Sequence, residues 1–400
     1  MPDPSPVARH WVNTWVSAPQ LTEPENMPPA PFTEDGCVLG NCTLRQTVRV
    51  SVGGRRMRLQ FSNDFGGAAL PITGVSVARP LGGLAGVGAI EPGSSRRLTF
   101  ESRASVVVPV GGCVTSDSLP FNLRPRSNLT VTMYLAEGQA SHDITSHPGS
   151  RTTSHLLAGD HREAGDLPGA TVADHWYFLT GVEVLAPLSR AAVVLLGDSL
   201  TDGRGSTTNG NDRWPDRLID RLHAYRGTAR LAVLNQGIGG NRVLNDGLGP
   251  NALARLDRDV FDRSGVRWLL ILEGINDIGT AEATEAGQRR VAADLIAAYE
   301  QIIVRAAAHG IRVYGATLPP LGGNSDYDDA AGLREGARQE VNRWIRTSQR
   351  FDAVVDFDAV VRDPVDPRRL RAAFDDGDGL HLNPLGYQAL ADAVPARLFT

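Results

Sequence analysis

AAVVLLGDSLTDGRG occupies residues 191–205. Seven small or apolar residues run without a polar break up to Gly197, and the chain then turns polar at Asp198-Ser199. An apolar run this short, ending in glycine and bounded by polar turn residues, reads as a strand buried on both faces. Strands of that kind belong to parallel sheets covered by helices. The stretch therefore sets the class of the C-terminal half, and it delivers a serine to the point where the strand leaves the core.

The rest of that half has the same grammar. LAVLNQG (231–237), VRWLLILEG (266–274), IRVYGATLP (311–319) and FDAVVDFD (351–358) are further short apolar runs. Helical patterns near 213–226, 251–263, 283–309, 331–349 and 384–398 alternate with them. Strand–helix alternation predicts a parallel α/β sheet with both faces covered. Right-handed crossovers then bring the C-terminal ends of all strands to one rim, where ligands bind in such sheets.

Up to about residue 187 the pattern is different. In TLRQTVRVSVGGRRMRLQFSND (43–64), Leu44, Val48, Val50 and Val52 recur at a spacing of two. Gly53-Gly54 reads as a turn, after which Met57, Leu59 and Phe61 resume the alternation. Short runs such as ITGVSVARP, ASVVVPV, NLTVTMYLA and WYFLTGVEVLA follow, punctuated by Gly, Pro, Asn and Asp. This predicts an antiparallel β-sandwich over 1–187 and an α/β domain over 188–400, joined near Pro187.

Bulk properties narrow the function classes. With 42% hydrophobic residues the chain can bury a sizeable core, and a net charge of −5 gives no electrostatic case for nucleic acid. All forty basic residues are arginine, which reads as genome composition. No stretch approaches the length of a membrane span. MPDPSPVARHWVNTW has no apolar leader, so the default location is the cytoplasm. Cys37 and Cys42 are close enough in sequence to close a loop disulfide, but the odd total of three cysteines favours free thiols.

Four segments collect on the predicted rim: GDSLTDG with Ser199, NQGIGGN with Gly240, EGINDIG with Asn276, and DGDGLHLNPLGY with Asp378 and His381. A serine hydroxyl needs a base to become a nucleophile, and imidazole is the natural one near neutral pH. Asp378, three residues before His381, is spaced to hold the imidazole Nδ1 and leave Nε2 for Ser199. The Ser199 N–H, the Gly240 N–H and the Asn276 amide are candidate donors to an oxyanion. Taken singly, each has a structural role open to it. Ser199 would serve as a helix cap, GIGG as a turn, Asn276 as a turn residue and His381 as a surface histidine. Their complementarity on one rim is what favours catalysis.

These blocks resemble those of the SGNH hydrolases, or GDSL esterases. GDSLTDG matches the nucleophile block, NQGIGG the glycine block, GIND the G-x-N-D block and DGDGLHLN the D-x-x-H block. The resemblance implies a three-layer, flavodoxin-like hydrolase fold over 188–400. It also implies a triad of Ser199, Asp378 and His381, and an oxyanion hole of Ser199, Gly240 and Asn276. WVNTWVSAPQ, LQFSNDFG, SHPGSRTTS and RWPDRL are similar to a branch that carries an N-terminal, jelly-roll-like β-domain. That branch implies a secreted esterase or carbohydrate esterase.

The expected activity is hydrolysis of a carboxylic ester through an acyl-enzyme, with no metal or cofactor. The substrate is expected to be a small-molecule or carbohydrate ester, such as a short acyl group on a polar alcohol. A transacylase with the same triad, and a carbohydrate-binding protein with an inactive hydrolase domain, are the alternatives. Asp198 is expected to brace neighbouring loops and Asp277 to orient Asn276. Trp214 either lines the pocket with Arg213 or packs under the first helix. Trp11, Trp15 and Trp176 read as packing in preference to sugar stacking. Arg45, Asn63 and Arg151 are open to a role at the rim or inside the β half. Oligomeric state is not readable from the sequence.

Overall fold

A computed structural model describes residues 8–33 and 36–400. Every strand before residue 188 is in an antiparallel arrangement. One sheet orders Arg9–Val16, Leu179–Pro187, Gly54–Ser62 and Leu119–Leu123, with Cys113–Thr115 also on Gly54–Ser62. The other orders Thr171–Ala173, Ser154–Ala158, Cys42–Arg49, Asn128–Leu135, Gly74–Ala78 and Arg96–Arg97.

The expected turn at Gly53-Gly54 is corrected here. Cys42–Arg49 and Gly54–Ser62 lie in different sheets, so the link between them is a crossing and not a hairpin. Val50 N–H donates to the Ser127 carbonyl and Ser51 N–H to the Thr14 carbonyl, which draws the link from one sheet to the other. Gly53 passes so close to Leu123 that a β-carbon there would lie 2.3 Å from its carbonyl oxygen. Met57, Leu59 and Phe61 do face inward, fully buried. Cys42–Arg49 is buried on both faces, because loops cover its second side. Arg45, wholly buried, donates there to the Gly88 carbonyl at 2.5 Å and the Ala164 carbonyl at 2.9 Å.

From Ala191 the sheet is parallel. Its order is Leu231–Gly237, Ala191–Gly197, Val266–Leu272, Arg312–Ala316, Ala353–Val355. The first strand in sequence is thus internal, and its crossovers depart in opposite directions. That is the switch point at which the strand ends leave a crevice. Ala192, Val194 and Leu196 join one apolar cluster, while Ala191, Val193 and Leu195 join the other. Glu285–Ala308 and Leu333–Thr347 cover the first face; Trp214–Ala224 and Pro384–Ala393 cover the second. The helix expected over 384–398 breaks at Pro395, which lacks the N–H to continue it.

The first apolar cluster runs without interruption into the antiparallel half, where Val12 packs beside Gly265. Polar contacts join the halves as well. The Ser51 hydroxyl donates to the Val233 carbonyl at 2.8 Å, and Ser264 N–H donates to Asn13 Oδ1 at 2.7 Å. Trp15 and Trp176 are buried edge-to-face against one another, and the Trp176 indole donates to the Thr47 carbonyl. Both are packing residues. The three cysteines are free thiols. No helix among the described residues is long and apolar enough to cross a membrane.

Candidate active site

At the end of Ala191–Gly197 the chain turns directly into the short helix Ser199–Asp202. Asp198, not Ser199, caps it: Asp198 Oδ1 accepts the Leu200 N–H at 2.9 Å. Asp198 therefore braces its own turn and not neighbouring loops, a correction to the sequence expectation. Burial lifts its carboxyl to about 7, against the Leu200 hydrogen bond, and its second oxygen is buried without a partner. Ser199 is the first helical residue, so its N–H has no intrahelical acceptor and faces the rim.

Across the rim, DGDGLHLN forms a tight loop ahead of Pro384–Ala393. Asp378 Oδ1 accepts the backbone N–H groups of Leu380 and His381 at 2.9 and 2.8 Å. Its Oδ2 lies 2.6 Å from His381 Nδ1, and His381 Nε2 lies 2.8 Å from the Ser199 hydroxyl. The three residues that the sequence separates by up to 182 positions are one hydrogen-bonded chain. Burial alone would raise the Asp378 carboxyl; the His381 main-chain and ring N–H and the Leu380 N–H outweigh it and hold it at about 2. The fixed anion requires the proton on Nδ1 and leaves Nε2 as the acceptor toward Ser199.

His381 is itself held below the ordinary imidazole value of 6.5. Burial is the largest cause; Asp378 opposes it, and Arg204 and Arg151 add to it. Protonation of Nε2 removes the acceptor, so any activity that draws on this pair belongs to the basic side of the titration. The acid limb of kcat/KM is expected below pH 6.5, with a plateau at neutral pH, measurable with a non-titrating ester.

Gly240 and Asn276 line the same cleft of about 490 Å³. Gly240 has φ +72°, and a β-carbon there would meet Leu248 at 2.4 Å, so this backbone needs glycine. Asn276 is the second residue of the helix Ile275–Thr280. One amide hydrogen donates to the Asn241 carbonyl at 2.8 Å, and Oδ1 accepts the Tyr327 hydroxyl at 2.7 Å. The second amide hydrogen is left for the cleft. Asp277 does not touch this amide. It accepts the N–H groups of Val243 and Leu244 at 2.8 and 2.9 Å, pinning the loop after Gly240, which corrects its expected role.

Other expectations separate cleanly. Trp214 is fully buried, edge-on to Phe357, and Arg213 is paired with Asp216 at 2.7 Å. Neither lines the cleft, so the packing reading of Trp214 holds. Arg45 and the Asn63 amide are spent inside the β half, Asn63 on the Ala68 and Val108 carbonyls. Arg151 alone of that trio reaches the cleft.

The sequence reading missed Tyr327 and Asn324. The Asn324 side chain accepts the N–H groups of Asp326 and Tyr327 and donates to the Asp378 carbonyl at 2.9 Å. The pair links the Asp378 loop to Asn276. A signal was present: both lie in the loop after Arg312–Ala316, another strand end on the same rim. His147 was also missed. From the β half it lies 2.9 Å from Asp202 Oδ1 at the end of the serine helix, with its other nitrogen on the Ala18 carbonyl.

The model of the GDSL-like Lipase/Acylhydrolase family matches residues 193–394. No curated protein matches the chain. Similar solved structures include Est24, a carbohydrate acetylesterase from Sinorhizobium meliloti, at 17% identity and TM-score 0.40 over 52% of this chain and 98% of that one. An acetyl xylan esterase, AlAXEase, is 18% identical with TM-score 0.38, over 50% of this chain and 96% of its own. A GDSL-like lipase from Bacteroides thetaiotaomicron is 18% identical with TM-score 0.36, over 50% and 84%.

Proposed function

The chain belongs to the GDSL-like lipase/acylhydrolase family, and from that we propose that it hydrolyses a carboxylic ester through an acyl-enzyme on Ser199. The observation that carries this reading is the unbroken relay from Ser199 Oγ to His381 to Asp378, at 2.8 and 2.6 Å.

As Ser199 Oγ attacks the ester carbonyl, its proton passes to His381 Nε2. Asp378 steadies the imidazolium and keeps the ring oriented. The carbonyl oxygen, now an anion, is held by the Ser199 N–H, the Gly240 N–H and the free hydrogen of the Asn276 amide. Collapse breaks the bond to the alcohol oxygen, which leaves with the proton from Nε2. Water then attacks the acyl-enzyme, giving its proton to the same nitrogen, and Ser199 is restored as the acid departs.

We take the acyl group to be short and the alcohol polar. The support is the cleft wall, where Gln20, Asn26, Arg151, Arg204 and Asn324 outnumber apolar residues such as Leu248 and Leu380. In this reading residues 1–187 are a packing and cleft-completing domain to the hydrolase domain of 188–400.

The test is hydrolysis of p-nitrophenyl esters of graded length together with fluorophosphonate labelling at Ser199. Short esters are expected to be turned over and Ser199 to be the labelled residue. Asn276→Ala is expected to lower kcat by about 10²–10³ with KM nearly unchanged, as for loss of one oxyanion donor. Steady-state kinetics on p-nitrophenyl acetate checks it. An equal loss in KM alone would mean that Asn276 binds the ground state.

A further inference from the structure

Two guanidiniums in the cleft have no part in the hydrolysis described above. Arg151 comes from the antiparallel half and Arg204 from the turn after the nucleophile. Arg151 is half-buried and Arg204 exposed. Of the fully buried arginines, Arg213, Arg255 and Arg338 pair with Asp216, Asp259 and Asp358, and Arg45 is spent on backbone carbonyls. Arg151 and Arg204 pair with no carboxylate among the described residues, and Arg151 Nε is buried without a hydrogen-bond partner.

The backbone at Arg151 is held where a side-chain-bearing residue seldom sits, at φ +50°. Several contacts enforce it. The Ser150 hydroxyl donates to the Thr152 carbonyl at 2.8 Å, and Asn209 N–H, from the hydrolase half, donates to the Arg151 carbonyl at 2.9 Å. Gly149 lies so close on Asp202 that a β-carbon would be 1.7 Å from its Oδ2. His147 holds that same carboxylate on the other oxygen. These contacts fix the Arg151 side chain at the edge of the cleft.

The position is on the histidine side. The Tyr387 hydroxyl, from the helix that follows His381, donates to the Arg204 carbonyl. Both side chains line the cleft together with His381, and Gly205, beside Arg204, packs on the residue after His381: a β-carbon there would lie 2.4 Å from the Leu382 carbonyl oxygen. The oxyanion donors Gly240 and Asn276 are instead built on Leu248 and Tyr327. Because Nε2 hands its proton to the leaving oxygen, the histidine side is the alcohol side. Of the carboxylates facing the cleft, Glu23 is bonded to Gln20 and Asn26, Asp202 to His147 and Asp378 to His381. Glu25 and Asp326 are exposed.

Resting on the ester-hydrolase reading, we propose that Arg151, assisted by Arg204, forms an anion subsite for the alcohol portion of the substrate. The preferred ester is then one whose alcohol carries a carboxylate, as an acidic sugar unit does. A guanidinium suits this task because its fork matches a carboxylate with two parallel hydrogen bonds.

The test uses the full-length protein and two acetyl esters of similar size, 4-acetoxybenzoate and the uncharged 4-acetoxybenzamide. The readout is the anionic-to-neutral ratio of kcat/KM. Arg151→Asn removes the charge while tolerating the left-handed backbone. It is expected to lower the ratio by about 10- to 100-fold, the worth of a charged hydrogen bond. Arg204→Gln should lower it less, Arg151→Lys should restore part of it, and added salt should erode the wild-type ratio. A ratio that stays within about twofold in Arg151→Asn overturns the subsite. If that variant does not fold, a ratio indifferent to both salt and Arg204→Gln overturns it. If neither ester nor p-nitrophenyl acetate is cleaved and Ser199 resists labelling, the hydrolase reading fails and takes the subsite with it. Cleavage of both esters with no dependence on Arg151 removes the subsite alone.

Discussion

Replacing Ser199 with alanine is expected to lower kcat on p-nitrophenyl acetate by roughly a hundred-thousandfold to a millionfold, the loss seen when a serine triad loses its nucleophile. The change deletes one oxygen, 2.8 Å from His381 Nε2, and leaves the His381–Asp378 pair and the helix cap at Asp198 in place. The folded state should survive, so lost activity would report chemistry and not unfolding. Fluorophosphonate labelling should vanish with it. His381→Ala should cost nearly as much, and the double variant little more than either single one, because the groups act as a unit. Hydrolysis persisting above about a hundredth of the wild-type rate would take the nucleophile role away from Ser199.

Arg255→Met is expected to have the largest effect on stability. Arg255 is wholly buried and joins the ends of three segments at the base of the site. It donates to the Gly197 carbonyl at 3.1 Å, the Gln236 carbonyl at 2.7 Å and Asn241 Oδ1 at 3.0 Å, and pairs with Asp259 at 3.1 Å. Glu273 lies 3.5 Å away. Removing one member of a buried ionic network costs about 3–5 kcal/mol. At about 1–2 °C per kcal/mol for a chain of 400 residues, the melting temperature should fall by about 3–10 °C. Activity should fall as well, since Gly197 precedes the Ser199 turn and the Asn241 carbonyl holds the Asn276 amide.

Glu273→Gln should behave differently. Burial, opposed by Arg255, lifts the Glu273 carboxyl to about 8, so it is largely neutral at pH 7. A raised carboxyl contributes stability that is full below pH 4.5 and is lost as pH rises through 8. The Gln variant carries no such titration, so its melting temperature should match the wild type near pH 5 and exceed it above pH 8. Thermal melts of both variants across pH check the pair of expectations. A small loss for Arg255→Met would mean that Asp259 finds enough compensation in Arg258, 2.7 Å away.

The parallel sheet was readable because its signal is local. Ala191–Gly197 is a continuous apolar run that ends at a glycine, and Leu231–Gly237 opens on four apolar residues before Asn235-Gln236-Gly237. The antiparallel half was readable as strands but not as sheets. The alternation in Cys42–Arg49 and Gly54–Ser62 says which side chains point alike, and it carries no information on which strand is the neighbour. Pairing is decided by contacts such as Val50 to Ser127 and Ser51 to Thr14, which join residues 37 to 77 positions apart. Trp214 was ambiguous for a related reason: an aromatic beside a polar loop has the same local sequence whether it turns to the core or to the cleft.

Residue chemistry and order along the chain are enough to nominate a nucleophile, a base, its carboxylate and the oxyanion donors, because the parallel topology sends all their loops to one rim. Tertiary packing decided the rest: that Asp277 holds a loop and not an amide, that Tyr327 and Asn324 tie the acid loop to Asn276, and that Arg151 crosses from the other half to the mouth of the cleft. Hydrogen-bond partners and side-chain directions depend on distances of a few ångströms between segments far apart in the chain, and those distances exist only once both halves share one core.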